Sequence, residues 1–210
     1  GQVDFPAHLQ SDGVTEMLVV VFRPYGMKPF LRIPVQELYN LEIPGQDLGD
    51  KGLEELELQV CGCGNTADMC VNMVEGWLLS RLSGYMTAGT EYDMGRVAAA
   101  MRLLLAAPWT PVTELASAAC LGRKQFGRLF KGLVGASPKK YARIARFQQA
   151  LKFLQDSPGQ MNLAQLAYMC GYADQSQMVR EFRQFSGCTP AALLKRSDKI
   201  IAIVYFGKIV

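Results

Sequence analysis

The sequence has one histidine in 210 residues, and no apolar run reaches the roughly 18–20 residues that a membrane helix needs. That histidine, His8, stands in an irregular N-terminal stretch and suggests an incidental role. No P-loop or GxGxxG pattern occurs, and no serine, cysteine or carboxylate has the neighbours of a nucleophile motif. An enzyme is therefore not expected, nor are catalytic residues or a cofactor. The opening residues, Gly1 to Ala7, lack a basic segment followed by an apolar one, so no secretory signal is expected and the cytoplasm is the expected compartment. The six cysteines, Cys61, Cys63, Cys70, Cys120, Cys170 and Cys188, then imply free thiols rather than a disulfide framework. Three of them fall in predicted helices among small apolar residues, where cysteine packs as a small hydrophobe. Cys61-Gly62-Cys63 with Cys70 lacks both the C-x₂₋₄-C pair and the histidine of zinc sites, so no metal is expected.

The second half is poor in acids. Residues 1–109 carry 7 Lys/Arg against 14 Asp/Glu, whereas residues 110–196 carry 13 against 4. An acidic half followed by a basic one implies two domains with different partners, a polyanion being the natural partner of the second.

That second half contains a repeat. Leu115-Ala116 matches Leu166-Ala167 at an offset of 51. Arg128-Leu129-Phe130 matches Arg180-Glu181-Phe182, Gly135 matches Gly187, and Ser137-Pro138 matches Thr189-Pro190, all at 52. The extra residue falls near Gly171-Tyr172-Ala173, where a turn is expected. Each copy reads as helix, turn, helix. In the first, Thr110-Pro111 suggests an N-cap followed by proline at N1, Gly122 breaks the helix, and Phe126, Leu129, Phe130 and Leu133 line one face of the next. In the second, Asn162 and Gln165 resemble a capping box. Gly171 then breaks the helix, Asp174 caps the next, and Met178, Phe182 and Phe185 form its apolar face. Between the copies, Ser137-Pro138 starts a helix reaching about Leu154. Tyr141, Ile144, Leu151 and Leu154 face inward; Lys139, Lys140, Arg143 and Arg146 are expected outside.

The polar face of each second helix repeats as well: Lys124, Arg128 and Lys131 in copy one, and Ser176, Arg180 and Arg183 in copy two, each at i, i+4, i+7. Such a helix fits the major groove of duplex DNA, where arginine can bond guanine O6 and N7 together and lysines can hold phosphates. Two such helices spaced by one rigid helix would reach successive grooves, roughly 34 Å apart.

From about Tyr92 to Arg196 the chain resembles the AraC/XylS-type transcription regulator domain. The stretches that carry the likeness are LAYMCGYADQSQMVREFRQFSGCTPAAL at 166–193 and RLFKGLVGASPKKY at 128–141. The resemblance implies two homeodomain-like helix-turn-helix units, at about 110–135 and 161–188, joined by a helix at 138–154 and binding promoter DNA sequence-specifically. Carried over by position, it implies base reading by Lys124, Gly127, Arg128 and Arg180, with Gln175, Ser176 and Gln177 on bases or backbone; Arg123, Lys131 and Arg183 complete the expected DNA-binding set. Gly122 stands where the family often has a serine cap, and Gly127 where a larger polar residue usually reads a base, so weaker specificity is expected in the first half-site. RNA polymerase, a second copy of the chain and a small-molecule effector are further partners the family suggests. The alternatives are the DNA-binding module of a cysteine-based DNA-repair alkyl transferase, and a protein binding DNA without sequence preference.

In the first half, Met17–Phe22 and Phe30–Ile33 are expected as strands around a turn at Arg23-Pro24-Tyr25-Gly26. Residues 46–50 are expected as a loop. Leu53–Val60 and Asp68–Leu82 read as helices, with Trp77, Leu78 and Leu82 in the core. VVFRPYGMKPFLRIPVQELYN, at 20–40, resembles the later part of a sensor domain of some such regulators, which would make this half a trimmed version. The expected fold is α+β: a mixed α/β sensor or dimerisation domain over 1–89, the all-α DNA-binding domain over 90–196, and a tail, 197–210. The tail's IIAIVYF reads as a strand of open role.

Overall fold

A computed structural model describes residues 2–6, 17–62, 64, 66–156 and 162–195. His8, Cys63 and the IIAIVYF segment lie outside these residues.

The described residues contain helices and no strands, which corrects the α+β expectation. Met17 to Phe22 has no strand partner among the described residues, and Met17, Leu18, Val19 and Val20 are exposed. An apolar segment becomes a strand only when a neighbour completes its hydrogen bonds, and none of the described residues does so. The turn at Arg23–Gly26 does form, closed by Gly26 N–H to the Arg23 carbonyl at 2.8 Å. Beyond it Pro29 lies within a 3₁₀ turn, Lys28–Phe30, in place of the second expected strand. Further 3₁₀ turns span Val35–Leu38 and Gly45–Leu48, the latter overlapping the expected loop.

Helix α1, Lys51–Val60, starts at Asp50, whose carboxylate accepts from the backbone of Gly52 and Leu53. Asp50 also bonds Arg81 and lies 3.4 Å from Arg32. Burial alone would raise its pKa, but the hydrogen bonds from Arg81 and Leu53 and the two arginine charges outweigh burial and hold it below the usual carboxylate range. Arg81 belongs to α2, Ala67–Tyr85, which packs against α1 and reaches Phe30 through Trp77, ring centroids 6.2 Å apart. No residue of α2 is fully buried. Trp77, Leu78 and Leu82 are half-buried, not core, because α2 is covered on one side only by α1 and the 3₁₀ turn.

Helix α3, Ala88–Ala106, opens with a capping box between Thr87 and Thr90. It is followed by α4, Val112–Ala118, and α5, Arg123–Val134. Their core joins Val97, Met101 and Leu104 of α3, Leu115 and Ala116 of α4, and Phe126, Phe130 and Leu133 of α5. Thr110 is not the cap of α4: its hydroxyl donates back to the Ala107 carbonyl at 2.7 Å, and Pro111 occupies the cap position. Helix α6 spans Pro138–Asp156. The second unit comprises α7, Leu163–Met169, and α8, Gln175–Ser186, with α9, Pro190–Lys195, behind them. Its core gathers Leu166, Cys170, Tyr172, Met178, Phe182 and Leu193.

Helix α6 serves both cores. Tyr141 and Ala145 close the first, while Phe147, Ala150, Leu151 and Leu154 floor the second. The 3₁₀ turn at Val35–Leu38 covers the far side of the first unit. A Cβ added at Gly135, φ +85°, would lie 3.0 Å from the Val35 carbonyl oxygen, so this left-handed end of α5 needs glycine for conformation and for closeness.

Candidate nucleic-acid interface

The two turns share one hydrogen-bond pattern. In each, a backbone N–H after the first helix bonds a carbonyl five residues back: Leu121 to Ala116 at 3.0 Å and Tyr172 to Ala167 at 2.9 Å. The residue before it is left-handed in both, Cys120 at φ +52° and Gly171 at φ +72°. The N-caps of α5 and α8 are Gly122 and Asp174. The extra residue of the second copy is therefore Ala173, between Tyr172 and the cap. Cys120 is exposed and Cys170 buried. The Cys120 thiol thus leaves the core it was expected to join, whereas burial pushes the Cys170 thiol up to about 11.

Helix α8 has stronger end chemistry than α5. Asp174 accepts from the Gln177 N–H at 2.6 Å, and the Gln177 side chain accepts from the Ala173 N–H at 3.0 Å. Gln177, expected among the DNA contacts, thus spends its carbonyl on the turn. Helix α7 carries the expected capping box, Asn162 with Gln165, at 2.8 and 3.2 Å. Gly122 offers α5 no side-chain cap.

Arg123, Lys124, Arg128 and Lys131 are exposed on α5, with Gly127 half-buried between them; Gln175, Ser176, Arg180 and Arg183 are exposed on α8. None of these six cations forms an ion pair among the described residues. Opposite each polar face the apolar one is sealed, Phe126, Phe130, Met178 and Phe182 having no exposure.

Two cations expected to face solvent are instead held by ion pairs and only partly exposed. Arg143 Nε donates to Glu181 Oε1 at 2.8 Å, and its Nη2 to Gln184 at 2.7 Å. Arg146 Nη2 lies 3.6 Å from the same Glu181 oxygen, and its Nη1 donates to the Gly171 carbonyl at 3.1 Å. Glu181 is buried, so these arginines tie α6 to α8 instead of contributing to an outer basic surface. Burial above all, and then the Glu181 charge, raise the pKa of the neighbouring Tyr172 hydroxyl, with Arg146 opposing. A signal for this pair exists in the repeat: Glu181 occupies the place of Leu129, an acid where its copy packs an apolar side chain.

Among the described residues, no His/Cys/Asp/Glu group could hold a metal ion, and no helix is long and apolar enough to cross a membrane.

Residues 115–196 match the family described as a helix-turn-helix domain. A probable transcriptional regulator, LumQ, of Photobacterium leiognathi is 35% identical over 79 residues, 38% of this chain and 31% of its own length. The HTH-type transcriptional regulator AlkR of Acinetobacter baylyi is 31% identical over 102 residues, 48% of this chain and 32% of its own. A putative AraC-like transcription regulator of Streptomyces antibioticus is 35% identical over 82 residues, 39% of this chain and 26% of its own. The chain thus spans about a third or less of the length of these relatives. With two units of like build on one shared helix, residues 115–196 match a helix-turn-helix domain and are similar to transcription regulators, an AraC-like one among them.

Proposed function

We propose that this chain works in a sequence-specific transcription regulator, with α5 and α8 entering successive major grooves of promoter DNA. The observation that carries this is the pair of exposed cationic faces, free of ion pairs among the described residues, on corresponding helices fixed to one frame. Lys124, Arg128 and Arg180 read bases, Gly127 lies on the groove floor, and Arg123, Lys131, Gln175, Ser176 and Arg183 hold phosphates or base edges. Gln177 sets the start of α8 and presents its backbone to the DNA. Residues 90–196 form the DNA-binding domain and 1–89 carry sensing or dimerisation; a role for 197–210 is left open. RNA polymerase, a second copy and a small-molecule effector are the further partners, and the bacterial cytoplasm is where such a regulator meets DNA.

The test is selection of bound DNA from genomic fragments, then titration of the best site with wild type and Arg180→Ala. Two half-sites about one turn apart, and a loss of about 1–3 kcal/mol confined to one of them, is the expected result. No recovered motif, with equal weakening on every sequence, would make the chain a non-specific DNA binder. Methyl transfer from alkylated DNA to a cysteine would instead favour the repair reading.

A further inference from the structure

Trp109 leads into α4 of the first unit, and Gly171 is the turn residue of the second. A Cβ built on Gly171 would lie 2.6 Å from Trp109 Cε3 and 2.9 Å from its Cβ, so the indole rests directly on the glycine backbone. The other side of that peptide is held too, because the Gly171 carbonyl accepts from Arg146 of α6. Trp109 remains 51% exposed, so core burial of the ring does not account for its placement. Trp109, Tyr168, Ala173 and Gln177 line a shared groove that runs to the start of α8.

We propose that Trp109 is a positioning residue that clamps the second helix-turn-helix unit against the first and so fixes the separation of the two DNA-reading helices. Without it, α6 is the main rigid connection between the units, beside the bridge that Asp4 makes from Tyr39 to Gln184, and one helix permits bending and twisting along its length. The Trp109 contact adds a further point of attachment, at the turn immediately before α8. It presses on a site where no larger residue fits, because Gly171 is left-handed at φ +72° as well as covered. The consequence is pre-organisation: with both helices held at one separation, binding of the first half-site presents the second at high effective concentration.

The DNA arm of the test rests on the function proposed above; a DNA-free arm does not. In the first, wild type, Trp109→Ala and Trp109→Phe are titrated against duplexes carrying both half-sites at spacings varied by single base pairs, and against each half-site alone. Trp109→Ala is expected to lose about tenfold at the optimal spacing, with a flattened spacing profile and unchanged half-site affinities. Trp109→Phe, which keeps a ring on Gly171, restores most of the profile. In the second arm, labels on non-natural residues at Gln125 and Ala164, both exposed, report the distance between units without DNA. A narrow distribution in wild type that broadens in Trp109→Ala is the expected result. An equally narrow distribution in both overturns the clamp, as does parallel loss at every spacing and on half-sites alone. Should Trp109→Ala fail to fold, Trp109→Leu takes its place. Wild type without spacing preference would count against the two-groove function, and the distance arm alone would then decide the clamp.

Discussion

Glu181 is the residue on which the second unit's orientation turns. Its carboxylate is buried and faces Arg143 and Arg146, themselves partly exposed at 37% and 16% of their side chains. Removing one member of a buried pair leaves the rest uncompensated, and partial solvation of the arginines tempers that cost. Glu181→Ala is expected to destabilise by about 2–3 kcal/mol in urea unfolding, and Glu181→Gln by less, since the amide oxygen can still accept from Arg143. Gly127 makes the opposite case. Nothing lies within 4 Å of a Cβ placed there, so Gly127→Ala should stabilise α5 by about 1 kcal/mol without altering the core. If DNA passes close over Gly127, the same variant should weaken the first half-site while leaving the second alone. Equal mismatch penalties in both half-sites of the wild type would contradict the weaker specificity expected of the glycine-bearing helix.

Helix ends account for much of what the sequence revealed at the scale of elements. Asn162 with Gln165, and Asp174, are local signals, and each acts within one turn of chain, so spacing alone locates them. Pairing and burial signals failed where the partner is distant in sequence. Met17–Phe22 has strand composition but no neighbouring strand among the described residues, Trp77 lies on a helix covered on one side, and Arg143 and Arg146 look solvent-facing until α8 is folded against α6. The Asp50 cap at α1 shows the same dependence, since Arg81 comes from the next helix. Its depressed folded pKa means the unfolded carboxyl binds a proton more readily. The stability it contributes is present above the unfolded value of about 3.9 and is lost as pH falls through the folded one. Acid titration should loosen α1 against α2, read by Trp77 emission in a Trp109→Phe background, and Asp50→Asn should show the loosened signal already at neutral pH. An unchanged emission in that variant would deny Asp50 this role.

Across the whole molecule, charge was legible from the sequence and its deployment was not. The acid-poor second half predicted a polyanion partner, and six of its cations do stand clear of ion pairs among the described residues on α5 and α8. If the three assigned to phosphates, Arg123, Lys131 and Arg183, release counterions there, the logarithm of affinity should fall with the logarithm of salt at a slope of about −3. A slope near −1 would leave most of these residues without phosphate contacts. The duplication was visible as an offset, but the sharing of α6 was not, because a repeat reports likeness and says nothing of which copy a connecting segment packs against. With Tyr141 and Ala145 in one core and Phe147 to Leu154 in the other, thermal unfolding of 90–196 should be one transition, and two resolved steps would show the units to be independent.

The shared helix also sets an order of events during synthesis. The first core is complete once Ala145 has left the ribosome, whereas Phe147, Ala150, Leu151 and Leu154 emerge on the same helix with nothing yet made to cover them. They stay bare until translation has reached Leu193. For that interval the nascent chain carries a finished unit with a greasy handle, the kind of surface that chaperones hold and that neighbouring nascent chains can stick to. Slow codons between Leu154 and Leu193 should therefore lower soluble yield more than slow codons placed before Ala145.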